Sequence, residues 1–358
     1  MLVPKPRFPI KQMVLTGWLP GFLKKALYKL KGYKIGKGVS IGFGSVLCGD
    51  DVAVGEHASI GFFSFVRGRH IRIGDRVQIG AATFIDTPFV EIGDGSKINE
   101  QVFIGGLQFP DSKFILGRNC QIMQMSFINP ARSITVGDDS GIGGDCLLFG
   151  HNSWLSQLEG YPVEFEPIEI GKSVSVSWRV FVLPGTKIGD GAVVGANSLV
   201  SGTVPPRCLA LGFPARVISK FPYFPKDLSR DEKAGLFGNM VNEMILFFQG
   251  SGLICEGAGP DHTIFRAKKN GRKSGKSWRI RVAAAPREER EAAPLSADID
   301  VFLSFDAIPV EERAELDARR VTWFDVENKE TSHETNDLGE EVALFLRRYG
   351  IRFFRANV

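Results

Sequence analysis

The chain has no apolar run approaching the ~20 residues needed to span a bilayer, and its first dozen residues carry lysine and arginine without an apolar core of signal-peptide length. No transmembrane or secretory segment is read from it, and a cytoplasmic protein is expected. Cysteine and histidine are both scarce, at five each. The cysteines (Cys48, Cys120, Cys146, Cys208, Cys255) are scattered, odd in number and never paired as CxxC, which argues against a disulfide framework and a zinc finger. Charge of one sign is lacking too: 44 Lys and Arg face 40 Asp and Glu, for a net charge of +4. That balance suits a phosphorylated co-substrate without demanding nucleic acid, and no nucleic-acid-binding motif is present.

Glycine, by contrast, is abundant: 41 in 358 residues, above the roughly 7% of average usage. The excess is ordered. An aliphatic residue followed by glycine recurs at Ile35, Ile41, Val54, Ile60, Ile73, Ile79, Ile92, Ile104, Leu116, Val136, Ile142, Ile170, Ile188 and Val194, with many neighbours six apart. The register persists where glycine is replaced, at Ile98, Ile122, Val176 and Val182. Four residues after many of these comes a small or β-branched residue, among them Ser45, Ser64, Thr83, Ser96, Ser126 and Ser140. Glycine every six residues would cost a helix interior about 1 kcal/mol each time. A short strand pointing one aliphatic side chain inward, then turning through a residue that tolerates φ > 0, fits instead. Three such strands close a triangular coil, and stacked coils bury a ladder of Ile, Val and Leu. Cys120 and Cys146 fall on the inward small position, where buried thiols are expected.

Two segments break the register, 106–114 and 150–167, and solenoid insertions project as loops on a binding face. The larger opens with His151. Upstream, residues 18–31 space apolar residues at helical intervals with lysines between them. Such a helix either rests on an anionic membrane surface or caps the open end of the coils.

The segment Pro167-Ile168-Glu169-Ile170-Gly171, then Leu183-Pro184-Gly185-Thr186-Lys187-Ile188-Gly189-Asp190-Gly191, and later Val204-Pro205-Pro206 and Gly212-Phe213-Pro214-Ala215-Arg216 resembles the C-terminal coils of the hexapeptide-repeat acetyltransferases, which include maltose, galactoside, xenobiotic and capsular or lipopolysaccharide O-acetyltransferases. The match is specific over about 130–220, rests on the repeat alone from 35 to 130, and does not extend past about 222. It implies a mainly β chain folded as a left-handed parallel β-helix, assembled as a homotrimer with an acetyl-CoA site between neighbouring subunits. It implies further that His151 is the general base and that Trp178 and Ala196 flank the thioester arm. Arg207, Arg216 and Lys220 become candidates for the coenzyme phosphates. Two departures stand out: Phe149 occupies the place of an aspartate two residues before the histidine, and Ser201-Gly202-Thr203 replaces a Thr-Lys pair.

Transfer of an acyl group to an alcohol needs a base with pKa near neutrality, a role that histidine suits. Asp145, Glu164, Glu166 or a main-chain carbonyl are candidates to orient it. Asp86, at a coil end, is a candidate to meet a sugar acceptor. His57, His70, His262 and His333 read as surface or structural residues. A carbonic anhydrase on the same coils would need three zinc-binding histidines, two of them close in sequence; none are so placed, and no metal is expected.

The organisation read from the sequence is a cap with a short helix (1–33), the β-helix (34–220), a linker and helix (221–250) and a small α/β domain (251–358). In the last, strands are expected at 263–267, 278–282, 299–305, 321–325 and 351–355, and helices at 310–319 and 338–349. The interval 284–294 reads as a charged loop. Arg266, Lys268, Lys269, Arg272, Lys273, Lys276, Arg279 and Arg281 crowd one hairpin, either as a solvated surface or as a contact for a polyanion. Three functions remain open: an O-acetyltransferase acting on a sugar hydroxyl of a bacterial surface polysaccharide or its precursor, an N-acyltransferase of an amino sugar or nucleotide-linked sugar, and a non-catalytic trimeric scaffold.

Overall fold

The computed structural model describes residues 14–258, 263–269, 272–283 and 299–356, and within 256–276 the backbone alone. Residues 1–13 of the expected cap, the charged loop 284–294 and the side chains of the basic hairpin up to Lys276 lie outside that description. The chain divides into two units, Met1–Asp227 and Leu228–Val358.

The first unit is the expected left-handed parallel β-helix. Short strands belong in rotation to three sheets, so that each sheet takes every third strand in chain order. Successive coils pair in parallel and in register. On the first face the ladder runs Ile35, Val54, Ile73, Ile92, Leu116, Val136, Ile170, Ile188, Val204. Ile41, Ile60, Ile79, Ile98, Ile122, Ile142, Val176 and Val194 line the second. Leu47, Val66, Ile85, Ile104, Ile128, Leu148, Val182 and Val200 line the third. All three ladders are buried and form one core. Pairing with the neighbouring coils satisfies the strand backbones.

The glycines act differently from the expectation. Left-handed backbone occurs two residues after the repeat glycine, at His57, Phe63, Arg76, Ala82, Gln101, Asn119, Asp139, Asp145, Arg179 and Asn197 as well as Gly38, Gly44 and Gly95. The repeat glycines themselves are held small by crowding. At Gly137 an added Cβ would lie 2.7 Å from the Gly171 carbonyl carbon and 2.8 Å from the Lys172 amide nitrogen on the next coil. Coil spacing, rather than φ, selects glycine there.

The small residues of the repeat bond from coil to coil. Oγ of Ser64 donates to the Gly80 carbonyl at 2.7 Å, Ser126 to Gly143 at 2.9 Å and Ser140 to Gly171 at 2.8 Å. The thiols of Cys120 and Cys146 do the same toward Gly137 and Ser177, each at 3.1 Å. Both are buried, as expected of structural thiols, and burial pushes the Cys146 thiol up to about 11.

Helix α1 (Gly21–Leu30) closes the open end. Its buried Lys24 donates to the carbonyls of Gly42 and Ser45 at 2.7 and 2.9 Å, and the Tyr28 hydroxyl accepts from the Leu47 amide at 3.0 Å. The opposite side, with Trp18, Phe22 and Leu30, is exposed. Among the described residues no helix is long and apolar enough to cross a membrane.

The second unit is an α/β fold around a seven-stranded mixed sheet. Helix α2 (Arg230–Gly250) opens with a capping box between Ser229 and Glu232. The helix expected within 221–250 is part of this unit's core: Phe237, Val241, Met244 and Phe248 of α2 share it with Ile280, Val301, Leu303, Phe324 and Phe345. Helices α3 (Val310–Ala318) and α4 (Asp337–Arg347) and strands Val301–Ser304, Thr322–Asp325 and Phe354–Arg355 fall where periodicity puts them. Strands Leu253–Ala258 and Glu330–Thr331 are additions, and the pair Thr263–Lys269 and Arg272–Ala283 runs beyond the expected 263–267 and 278–282.

Candidate active site

Two edges of the third face carry the residues singled out by sequence. At the edge joining the third face to the first, the chain leaves strand Leu147–Phe149 and enters the long insertion, and His151 is the second residue out. Its ring lies parallel to Phe165 from the far end of the same insertion, at 6.2 Å and 11°, and edge-on to Phe149 at 6.1 Å. Phe109, from the shorter insertion, packs edge-on against Phe165 at 5.2 Å, and the Arg132 guanidinium sits 4.3 Å over Phe109. Both interruptions thus converge on one aromatic box around the imidazole. Burial lowers the His151 pKa from its ordinary value, which keeps the ring neutral and able to accept a proton.

The orienting acids do not reach it. Nδ1 of His151 is buried and, among the described residues, has no hydrogen-bond partner. Asp145 instead pairs with Arg179 at 3.1 Å. Glu164 exchanges only main-chain bonds with Asn152, at 2.9 Å each way, and its side chain is exposed, as is that of Glu166. Phenyl rings, not a carboxylate, hold the imidazole in place here. Asp86 is likewise committed elsewhere: its carboxylate makes a two-pronged bond to Arg67 at 2.7 and 2.6 Å, which leaves little of it for an acceptor.

At the other edge of the face, between the second and third sheets, Trp178 is 46% exposed. Its indole covers Gly144 of the neighbouring coil, where an added Cβ would come within 2.4 Å of the ring. Ala196 occupies the equivalent corner one coil further on and is exposed. The Asn197 amide donates to the Trp178 carbonyl at 3.1 Å. Gly144, Trp178 and Ala196 thereby build a shallow apolar shelf. His151 and Trp178 lie on opposite edges of this face within one chain.

The three expected phosphate partners divide. Strands Cys208–Gly212 and Ala215–Lys220 form an antiparallel hairpin in which Cys208 faces Lys220 and Leu211 faces Arg216. Arg207 and Lys220 are brought together at one end, where the Phe221 amide donates to the Arg207 carbonyl at 3.1 Å and the Arg207 guanidinium lies 3.6 Å over the Phe221 ring. Arg216, exposed, sits toward the turn, about 10 Å away at ~3.3 Å per residue. Sequence reasoning missed Phe109, Arg132, Phe149 and Phe165 as neighbours of His151. Phe109 and Phe165 lie in the two interruptions, and Arg132 in a turn between strands, so spacing carried no signal for them.

No protein-family model matches the chain. Over 119 residues it is 34% identical to a protein of Escherichia coli K12 named putative lipopolysaccharide biosynthesis O-acetyl transferase, and over 120 residues 36% identical to galactoside O-acetyltransferase of the same organism. Each match spans 30% of this chain, and 61% and 58% of those relatives, so the chain spans about three fifths of the length of the curated proteins it matches. Among solved structures it is similar to a hexapeptide-repeat-containing acetyltransferase of Vibrio cholerae complexed with acetyl coenzyme A, at a TM-score of 0.27 and 19% identity, covering 59% of this chain and 83% of that one. The relatives' names agree with the resemblance read from the repeat and its closing segments: the chain resembles the hexapeptide-repeat acetyltransferases of the sugar O-acetyltransferase type.

Proposed function

We propose that this chain is an acetyl-CoA-dependent O-acetyltransferase that acts on a sugar hydroxyl of a bacterial surface polysaccharide or its precursor, in the cytoplasm. The observation that carries the reading is His151: an imidazole kept neutral by burial, clamped by Phe149 and Phe165 at the mouth of the insertion. The names of the relatives support the chemistry.

In this mechanism His151 takes the proton of the acceptor hydroxyl as its oxygen attacks the thioester carbonyl. Backbone amides at the coil corners meet the oxyanion. The carbon–sulfur bond then breaks and coenzyme A leaves as thiolate. The shelf of Gly144, Trp178 and Ala196 carries the thioester arm, and Arg207 with Lys220 meets the phosphates; Arg216 is assigned a lesser part. Since His151 and Trp178 sit on opposite edges of one face, a complete site draws one from each of two chains. A homotrimer with its site between subunits meets that need. The apolar tip of the long insertion, with Trp154 96% and Leu158 99% exposed, is the kind of surface a neighbouring copy covers.

Purified protein tests this. Acetyl-CoA turnover with a bacterial glycan acceptor is expected to fall by at least about a hundredfold in His151→Ala, and unchanged turnover would remove the proposal. Mild alkali distinguishes the ester from the amide that an N-acyltransferase would form.

A further inference from the structure

The edge of the first unit that leads to His151 carries cations in a specific arrangement. Arg69, Lys113 and Arg132 all lie on the junction of the third and first faces, just before strands His70–Ile73, Lys113–Leu116 and Ile134–Val136 or at their start. These strands, with Phe89–Ile92, occupy four successive coils of the first sheet, a rise of about 15 Å at ~4.8 Å per coil. The insertion holding His151 opens on the same edge one coil further.

Each cation is fixed over a phenyl ring. The Arg69 guanidinium and the Lys113 ammonium lie 5.3 and 5.5 Å from the centre of Phe89, and Arg132 lies 4.3 Å over Phe109. Arg69 also donates to the Pro110 carbonyl of the shorter insertion. Carboxylates share this line: Asp51 on the preceding coil pairs with Arg72 and His70, and exposed Glu164 and Glu166 flank Phe165 at its far end. Arg132 has Asp111 at a long 3.4 Å, with Asp111 69% exposed, and among the described residues neither Arg69 nor Lys113 makes an ion pair. Asp86, the next acid inward, is consumed by Arg67. A guanidinium held against a ring loses little freedom when its remaining N–H groups bind, which favours a planar, bidentate anion. The last of the cations is tied to the site itself: Arg132 rests on Phe109, Phe109 on Phe165, and Phe165 on the His151 ring.

From this arrangement we infer that the acceptor is an acidic saccharide whose carboxylates run along the edge, over Arg69, Lys113 and Arg132, while one of its hydroxyls enters the aromatic box beside His151. The inference names the substrate class of the proposed transfer and rests on that reading for the fate of the hydroxyl, but the binding it predicts is separately measurable. Neutral glycans bring no charge to the three cations and gain little from them.

The test uses the full chain and needs no turnover. Binding of a defined oligogalacturonate, a neutral malto-oligosaccharide of equal length and a single-stranded oligonucleotide of equal charge is measured at low and moderate salt. The uronate is expected to bind most tightly and to weaken with salt. The triple variant Arg69→Gln, Lys113→Gln, Arg132→Gln is expected to lose about tenfold or more of that affinity, with binding of coenzyme A unchanged. A second variant, Arg69→Lys with Arg132→Lys, is expected to recover part of it, which guards against a folding defect. Equal binding of uronate and neutral sugar by the native chain would overturn the inference, as would equal binding of the oligonucleotide or full affinity in the triple variant. Uronate binding that responds to the variants in a protein with no acetyl transfer would overturn the transfer reading, and with it the role of acceptor, while leaving the binding of an acidic saccharide along the edge standing.

Discussion

His151 shows how far burial alone sets a reactive group. With no acid on Nδ1, the shift comes from desolvation, which disfavours the imidazolium and lowers the pKa below the usual value near 6.5. The sign follows: the neutral base persists to lower pH than in a free histidine. The acid limb of a plot of kcat/KM against pH is therefore expected below 6.5, and a limb above 7 would contradict the environment described. Stability follows the same direction, since the unfolded chain binds that proton more readily, so any contribution fades as pH falls through the ordinary value. Among the coenzyme candidates, Arg207→Gln is expected to raise the KM for acetyl-CoA several-fold and Arg216→Gln to change it much less, because only the former shares its end of the hairpin with Lys220. Equal effects in steady-state kinetics would reverse that assignment.

The single coil is the element that repeats, and its two small positions do separate jobs. The repeat glycine lets the next backbone approach, whereas the position two residues later absorbs the left-handed turn. Substitutions should tell them apart. Gly137→Ala forces a Cβ to within 2.8 Å of three backbone atoms, and a cost of about 1–3 kcal/mol is expected. Gly191, with φ +67 and only the Arg207 side chain 3.4 Å from an added Cβ, should accept asparagine nearly without loss, since asparagine tolerates that conformation. Urea midpoints of the two variants check the contrast. Ser126→Ala removes the acceptor of the Cys146 amide as well as the bond to Gly143, so about 1–3 kcal/mol is expected there too.

At the scale of the whole molecule, the proposed assembly makes the sharpest forecast. If copies complete one another's sites, light scattering gives a mass three times that of the chain. Trp154→Asp with Leu158→Asp, which alters only exposed side chains, should then yield a smaller species with reduced turnover. A monomer with full activity would refute the shared site. Within the second unit, buried Asp325 receives the Ile308 amide at 2.8 Å and Arg313 at 2.6 Å, so the loop after Val301–Ser304 is tied to the end of the adjacent strand. Periodicity located the strands and helices there, but not this lock.

The division between what was legible and what was not follows the range of the interactions. A six-residue period is local: each aliphatic residue needs only the equivalent residue on the next coil, so the ladders that start at Ile35 and Ile41 were announced by the sequence, whereas of the third face only Ile104 and Val182 were. The position of His151 at a break in that period was equally visible. Its surroundings were not, because Phe109 and Phe165 meet only when two insertions of no fixed spacing fold over the same edge. Nor was the pairing of Asp86 with Arg67 or of Asp145 with Arg179, each of which joins residues one coil apart in space and 19 or 34 apart in sequence. The repeat by itself determined the column; the tertiary structure decided which side chains remain available on its edges, since that depends on neighbours brought close by the stacking of coils rather than by the order of residues.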